Sequence, residues 1–170
     1  IDRIAYILDE KEEDDRPGVT KPAINKDIVF DKVNFKYEEG AAVLKDVSFT
    51  VPAGKTFAIL GNTGSGKSTL VHLLNRLYDL PDGCGKITIG GVDIRDIDRQ
   101  YLRSQIGMVL QEPFLYSGSI KENVGITKES SAFDDIREAC EIACVDSAID
   151  SFTDGYETIV GERGVTLSGG

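Results

Sequence analysis

The sequence predicts a mixed α/β core followed by a smaller, acidic α-helical subdomain. Apolar and polar residues alternate on two stretches between residues 28 and 51, which is typical of amphipathic strands. A glycine-rich segment at 61–66 then separates a short apolar run from an amphipathic helix. The charge changes after Ser117, since residues 129–162 contain ten acidic side chains and a single arginine. These observations favour 27–115 as an α/β unit and 116–170 as a helical one.

The composition limits the classes of function. The 170 residues correspond to about one domain, and a hydrophobic content of 41% can fill its core. The net charge of −10 repels phosphate backbones at long range, which argues against nucleic acid as a partner. Because no run of 18 apolar residues occurs and no basic segment precedes an apolar one, we predict neither a membrane span nor a signal peptide.

The first 26 residues predict the end of a helix and a linker. Ile1, Ile4, Ala5 and Leu8 share one helical face. An acidic tract at 9–15 and a stretch interrupted by Pro and Gly at 16–26 follow. We interpret 1–26 as the end of a helix that belongs to another part of the protein, followed by a solvated linker.

The elements of the core follow in order. Two amphipathic strands come first, with alternating residues Val33, Phe35 and Tyr37 in one and Val47, Phe49 and Val51 in the other. Residues 56–60 predict a short, fully buried strand. The next helix carries a core stripe of Leu70, Leu73, Leu74, Leu77 and Tyr78. Strands at 86–90 and 106–110 flank a helical segment at 99–104.

The sequence of the helical subdomain predicts a helix N-cap. Ser131, with Asp134 three residues on, resembles a capping box. An apolar helical stripe follows, made of Phe133, Ile136, Ala139, Cys140, Ala143 and Cys144.

The cysteines and the histidine can be explained as structural residues without a role in chemistry. Cys140 and Cys144, four residues apart on a predicted helix, are either two thiolates facing a metal or two small buried side chains. Three cysteines without a framework spacing favour the second interpretation and a reducing, cytoplasmic environment. The single histidine, His72, lies among leucines and is expected at the rim of the core, without a catalytic role.

Residues 61–68 read GNTGSGKS, which predicts a phosphate-binding loop. The glycines let successive N–H groups point at phosphate oxygens, and the helix that starts at Lys67 adds the positive end of its dipole. Lys67 reaches the β- and γ-phosphates, and the Ser68 hydroxyl can ligate Mg²⁺. A purely structural glycine-rich turn is the alternative. The predicted nucleotide-binding residues of this loop are Asn62, Thr63, Gly64, Ser65, Gly66, Lys67, Ser68 and Thr69.

Two further segments narrow the type of nucleotide site. Gln111 follows the predicted strand 106–110 directly, within the sequence MVLQEP at 108–113. The last four residues, 167–170, read LSGG. With the phosphate loop, their order and separation resemble the nucleotide-binding domain of ATP-binding-cassette (ABC) transporters of the exporter type. The resemblance implies a P-loop NTPase core, in which a mixed sheet carries an antiparallel β subdomain, and an α-helical subdomain.

The resemblance implies roles for further residues. Tyr37 matches the aromatic residue that stacks on adenine, although its alternative is packing at a sheet edge, and Val43 matches an apolar neighbour of the ribose. Gln111 matches the glutamine that touches Mg²⁺ and the attacking water, so Lys67 and Gln111 are the candidate catalytic residues and Ser68 and Gln111 the candidate metal ligands. Ser168, Gly169 and Gly170 match the signature that caps the γ-phosphate of ATP on the opposite subunit.

The resemblance also implies partners. Residues 158–164 (TIVGERG) resemble the exporter segment that contacts the transmembrane domains, the alternative being an ordinary glycine-bounded loop. The opening residues resemble the cytoplasmic end of the last transmembrane helix. The expected partners are a second nucleotide-binding domain and the transmembrane domains, at the cytoplasmic face of a membrane, with ATP and Mg²⁺ as cofactors.

The family pattern continues beyond LSGG with a strand ending in Asp, a catalytic Glu and a switch His, which the 170 residues do not contain. We therefore expect this chain to be inactive in ATP hydrolysis by itself, and the parent domain to be active. Two alternatives stay open. One is a soluble ABC ATPase acting on DNA or ribosomes, and the other is a nucleotide-binding module that does not hydrolyse.

Overall fold

The computed structural model describes residues 20–38, 40–111, 114–128 and 131–161. It divides into two compact units, residues 1–107 and residues 108–170, whereas the sequence suggested a boundary at 115/116. The first unit contains both strands and helices, and short helices dominate the second, which confirms the predicted mixed α/β class with a helical subdomain. The helix end and acidic tract within 1–19, and the signature residues Ser168, Gly169 and Gly170, lie outside the described residues.

The first unit is built on a four-stranded antiparallel sheet. Its strands are β1 (Ile28–Phe35), β2 (Leu44–Val51), β3 (Lys86–Ile89) and β4 (Val92–Asp93), in the order β2-β1-β3-β4. Alternation of apolar side chains gives the sheet one buried face, because successive side chains of a strand point to opposite sides. The buried core of the unit comprises Phe30, Val33, Phe35, Leu44, Leu70, Leu73, Leu80, Ile87, Ile89, Ile94, Ile97 and Leu102.

Two β-bulges shift the pairing of β1 with β2. The paired residues are Phe30 with Phe49, Val33 with Val47, and Phe35 with Leu44. β1 therefore has one extra residue between the first two pairs, and β2 has one between the last two. Lys32 and Asp46 adopt left-handed backbone conformations there, each with φ of 50°. Asn34 joins the bulges, since its Nδ2 donates to the Lys32 carbonyl at 2.8 Å and its Oδ1 accepts from the Asp46 N–H at 2.9 Å.

The helices of this unit lie where the sequence predicts them. The first, α1 (Lys67–Leu74), follows the glycine-rich loop, and Leu70 and Leu73 of the predicted stripe are buried. Leu77 and Tyr78 lie beyond the end of α1 and are about half exposed, so the predicted stripe was too long. A 3₁₀ turn (Ile94–Asp96) leads into α2 (Arg99–Ser104), whose N-cap Asp98 accepts from the Tyr101 N–H at 2.7 Å.

Two predicted strands are not formed. Residues 56–60 and 106–110 have no strand pairing in the part of the chain that the structure describes. Residues 56–60 are also exposed rather than buried, with Leu60 at 93% of its full accessibility. An apolar run indicates a preference for burial, but a strand also needs a neighbour for its N–H and C=O groups. The strand predicted at 86–90 is confirmed as β3.

The second unit contains short helices and one small ladder. Its elements are β5 (Gly118–Ser119), α3 (Ile120–Gly125), α4 (Phe133–Ile142), α5 (Asp146–Asp150), a 3₁₀ turn (Gly155–Glu157) and β6 (Ile159–Val160), which pairs with β5. The buried core consists of Ile136, Cys140, Ile149 and Tyr156. Of the two predicted stripe cysteines, Cys140 is buried and Cys144 is exposed.

The capping box predicted at Ser131 was wrong, because the capping box of this unit lies at another helix. The N-cap of α4 is Ala132, and Ser131 donates its hydroxyl to the Lys128 carbonyl instead. A full capping box is present one helix earlier. Ser119 Oγ accepts from the Glu122 N–H at 3.1 Å, and the Glu122 carboxylate accepts from the Ser119 N–H at 2.8 Å.

None of the helices in the described ranges combines the length and the apolarity that a membrane crossing requires.

Candidate functional site

The glycine-rich segment forms a tight loop at the start of α1. Gly64 and Gly66 have φ of 81° and 90°, a region in which residues with a Cβ are strained. The Ser65 N–H donates to the Asn62 carbonyl at 3.2 Å and closes the turn. Gly66 is the N-cap of α1, and no side chain caps the first turn. The amide groups at the start of α1 are therefore available to an anion.

The loop is seated against the first residues of β2. A Cβ atom added at Gly66 would lie 2.7 Å from Leu44 Cδ2 and 3.1 Å from Val43 Cγ1. Only glycine fits between α1 and this strand without a shift. This close approach explains the glycine at 66 by packing as well as by its backbone conformation.

Lys67 folds back over the loop. Its Nζ donates to the Gly61 carbonyl at 2.9 Å and to the Asn62 carbonyl at 2.7 Å. An ammonium group has three donors, so one remains for a further acceptor. The side chain is half-buried and the neighbouring Ser68 is exposed. The loop thus presents a fixed cation beside the exposed Ser68 hydroxyl.

The structure brings two residues from before the loop into the same groove. The groove has a volume of about 250 Å³ and is lined by Tyr37, Val43, Gly64, Gly66, Lys67, Ser68 and Thr69. An aromatic ring, an aliphatic side chain, amide donors and a lysine are thus arranged along one groove. Of the sequence-predicted site residues, these seven are adjacent.

Tyr37 is held by three neighbours. Its hydroxyl lies 3.0 Å from Thr69 Oγ1, and either oxygen can donate the hydrogen bond. Its ring is nearly perpendicular to the ring of Phe35, with centroids 5.1 Å apart, and to the ring of Tyr78, with centroids 5.0 Å apart. The sequence had placed Tyr78 in a helical core stripe and gave no sign of this contact, because it arises from the turn after α1.

A charged network fixes that turn. Arg76, only 4% exposed, forms an ion pair with Asp79 at 2.9 Å and donates to the carbonyls of Ile94 and Ile97. Arg99 binds the same carboxylate at 2.8 Å. Partial burial alone would raise the pKa of Asp79, but hydrogen bonds and charge from Arg76 and Arg99 outweigh it and lower the pKa.

Asn62, Thr63 and Ser65 belong to the same loop, whereas the other predicted site residues belong to the second unit. Gln111 is exposed in the second unit, and Ser168, Gly169 and Gly170 lie outside the described residues. Among the described residues, no three His, Cys, Asp or Glu side chains cluster to hold a metal ion.

The hydrogen-bond donors of the groove suit a nucleoside triphosphate. Phosphate oxygens accept hydrogen bonds and carry negative charge, and the loop offers amide donors, an ammonium group and a hydroxyl. The aromatic ring of Tyr37, which also lines the groove, offers a stacking surface. These residues therefore suit a ligand with an aromatic base and a phosphate chain.

Known proteins resemble the chain over almost its whole length. A family model described as ABC transporter matches residues 44–170. The fatty acid ABC transporter ATP-binding/permease protein of Mycobacterium bovis is 43% identical over 169 residues, which are 99% of this chain and 26% of that protein. The ATP-binding cassette sub-family B member 6 of Homo sapiens is 42% identical over 165 residues, covering 96% of this chain and 19% of that protein.

A solved structure gives the same result. The structure of a bacterial Atm1-family ABC exporter with ATP bound matches with a TM-score of 0.86 and 34% identity, over 99% of this chain and 30% of that chain. The chain spans about a quarter of the length of the Mycobacterium bovis relative. Because the family model covers most of the sequence and the fold agrees, the chain belongs to the ABC transporter family.

Proposed function

We propose that this chain is the ATP-binding part of an exporter's motor domain, which binds and hydrolyses Mg·ATP and couples both to transport across a membrane. The observation that carries the proposal is the groove in which Tyr37, Val43 and Lys67 lie beside the phosphate loop. Family domains of this kind bind ATP, typically with Mg²⁺, and the donor set described above suits both ends of that ligand.

Each residue of the groove has a proposed task. Tyr37 stacks on adenine and Val43 packs beside the ribose. The amides and side chains of Asn62, Thr63, Gly64, Ser65, Gly66 and Thr69 surround the phosphates. Lys67 compensates charge on the β- and γ-phosphates, and its ammonium group supports this role because the two loop carbonyls use only two of its three donors. Ser68 and Gln111 are the proposed ligands of Mg²⁺, which supplies further charge compensation when bound.

Gln111 and the signature have proposed tasks that need other parts of the assembly. Gln111 helps to place the attacking water, and its loop senses the transmembrane domains. Ser168, Gly169 and Gly170 cap the γ-phosphate of ATP on the partner domain, with one hydroxyl and backbone amides. Catalysis would then depend mostly on positioning and electrostatics.

The proposed assembly is a pair of nucleotide-binding domains joined to transmembrane domains at the cytoplasmic face of a membrane. Residues 1–26 would connect to a transmembrane helix, and 158–164 would contact the transmembrane domains. Relatives that are ATP-binding/permease proteins support this arrangement. The acidic net charge of −10 gives no support to a nucleic-acid partner.

Substitution of the loop lysine tests the proposal. In the complete protein, Lys67→Ala should weaken Mg·ATP binding about 10- to 150-fold, because it removes a charge-assisted contact worth about 1.5–3 kcal/mol. Lys86→Ala is the matched control, since Lys86 is an exposed lysine whose Asp31 contact of 3.9 Å is weak. Equal ATP affinity of the Lys67 variant and the control in a calorimetric titration would contradict the proposed function.

A further inference from the structure

The hydroxyl contact of Tyr37 fixes only part of its geometry. The oxygen lies on the axis about which the ring rotates, so the bond to Thr69 Oγ1 at 3.0 Å determines where the side chain points. It does not determine the plane of the ring, because rotation about that axis leaves the oxygen in place. A stacking surface, however, is defined by its plane. Some other contact must therefore set the rotation of the Tyr37 ring.

Two rings supply that contact. Phe35 and Tyr78 lie at 85° and 83° to Tyr37, with centroids at 5.1 Å and 5.0 Å. These are favourable perpendicular arrangements, and rotation of the Tyr37 ring would lose them. Phe35 and Tyr78 also contact each other, with centroids 6.1 Å apart at 57°. The three rings form one cluster in which each limits the rotation of the next.

Tyr78 is fixed more firmly than its exposure suggests. It lies within the turn from Arg76 to Asp79, which their ion pair closes at 2.9 Å. Arg76 has a left-handed φ of 52° and is buried, and Arg99 holds the Asp79 carboxylate from α2. The backbone on both sides of Tyr78 is therefore anchored, although its own side chain is 45% exposed.

Tyr78 does not line the groove at the phosphate loop, but it contacts Tyr37, which does. It lines a different groove, of about 770 Å³, together with Phe35, Tyr37 and Pro81. The groove at the phosphate loop is lined by Tyr37 and the loop residues instead. Tyr37 is thus the residue that the two grooves share.

We infer that Tyr78 is a positioning residue, which sets the plane of the Tyr37 ring for stacking on the base of a bound nucleotide. The inference rests on the proposed function, since it assumes a nucleotide in the groove. Phe35 contributes the same restraint from within the core, where truncation would also disturb folding. Tyr78 contributes it from the surface, where it can be removed without opening the core.

A double-mutant cycle with two ligands tests the inference in the complete protein. The variants are Tyr78→Ala, Tyr78→Phe, Tyr37→Ala and the double alanine variant, and the ligands are Mg·ATP and Mg-tripolyphosphate, which has no base. Phe133→Ala is the matched control, because Phe133 is 42% exposed and lies at 82° and 5.1 Å from its partner Tyr156 in the second unit.

The expected result is selective for the base. Tyr78→Ala should lower ATP affinity about threefold, which is the lower end of what a perpendicular aromatic pair contributes, and Tyr78→Phe should restore it. Tripolyphosphate affinity should stay unchanged, and Tyr78→Ala should have no further effect once Tyr37 is alanine. Phe133→Ala should leave both affinities unchanged.

Three results would overturn the inference. Equal losses for ATP and tripolyphosphate would mean that Tyr78 acts on the phosphate loop or on folding. If Tyr78→Ala lowered ATP affinity as much in the Tyr37→Ala variant as in the unsubstituted protein, Tyr78 would act on the ligand independently of Tyr37. Unchanged ATP affinity in Tyr78→Ala would mean that Phe35 alone sets the ring. Failure of the unsubstituted protein to bind either ligand would instead reject the proposed function itself, and with it the inference.

Discussion

Gly66 and Leu44 approach so closely that a Cβ atom at position 66 would lie 2.7 Å from Leu44 Cδ2. Leu44 is buried at the start of β2, and Gly66 is the residue from which α1 begins. Leu44 would therefore have to shift before a residue with a Cβ atom could stand at position 66. The start of the helix that carries Lys67 thus packs directly against a core residue of the first unit.

Gly66→Ala should consequently disturb both stability and ligand binding. The left-handed φ of 90° costs a residue with a Cβ about 1–2 kcal/mol, and the contact with Leu44 adds an overpacking cost of about 1–3 kcal/mol. The control is Gly54→Ala, which has a φ of 68° and open space around the added atom. Denaturant unfolding should show the larger loss at Gly66, and ATP affinity should fall only there. Equal losses at both glycines would contradict the packing argument.

Substitutions at Tyr37 should separate stacking from hydrogen bonding. Tyr37→Ala should lower ATP affinity about 3- to 10-fold, whereas Tyr37→Phe and Tyr37→Trp should retain most of it, because both keep an aromatic face. GTP should bind almost as well as ATP, since stacking does not distinguish the edges of the bases. Titration of both nucleotides against each variant measures this. Strong discrimination between ATP and GTP would reveal a residue that hydrogen-bonds the base.

The ion pairs of Asp79 should make stability depend on pH in the acidic range. Its pKa in the folded protein is below the ordinary value of 3.8, despite the opposing effect of burial, because Arg76 and Arg99 favour the carboxylate. The stabilisation is therefore fully present above about pH 4 and is lost as the pH falls through the lowered pKa. Asp79→Asn should lose about 1 kcal/mol or less at pH 7, since the carboxylate is half exposed.

The test compares the stability of Asp79→Asn with that of the unsubstituted protein at each pH. Asp93 also has a lowered pKa, from its bonds with Arg95 against the effect of burial, so the total stability titrates for more than one reason. The difference between the unsubstituted protein and Asp79→Asn should shrink on acidification below pH 4. A difference that stays constant between pH 7 and pH 3 would show that the carboxylate is not stabilised by these arginines.

Two serines should respond differently to the same substitution. Ser119→Ala removes the N-cap of α3 and should cost about 1 kcal/mol of unfolding free energy. Ser131→Ala should cost less, because Ser131 caps no helix and its hydroxyl bonds only the Lys128 carbonyl. Chemical denaturation of the two variants compares them directly. Equal costs would mean that the Ser119–Glu122 exchange contributes nothing beyond a surface hydrogen bond.

Sequence reasoning located the elements whose signals are local. The start of α1 at Lys67 and the range of α2 were predictable, because a glycine-rich turn and an Asp N-cap act within a few residues. Residues 56–60 were mispredicted because an apolar run measures the tendency to be buried and not the presence of a pairing strand.

The candidate site was predictable to a similar extent. Lys67 and its loop follow from a spacing pattern, and Tyr37 and Val43 follow from family resemblance. The contacts of Tyr37 with Thr69 and Tyr78 did not follow, since they join positions 32 and 41 residues away in sequence. The Arg76–Asp79–Arg99 network was missed because Arg99 is 20 residues from Asp79 and because burial of Arg76 could not be predicted. Charged residues on a helix end are usually solvated, and only the fold buries Arg76.

The paired bulges of β1 and β2 decide where these strands can gain or lose a residue. Deletion of Lys32 would leave Phe30 and Val33 two positions apart and still on one face of the sheet. Tyr37 follows the end of β1, so deletion of a residue between Val33 and Tyr37 would shift Tyr37 out of the position in which it contacts Thr69. One-residue insertions and deletions among related sequences should therefore fall at the bulges. An alignment that opens its gap between Val33 and Tyr37 will assign the wrong residue to the proposed stacking position.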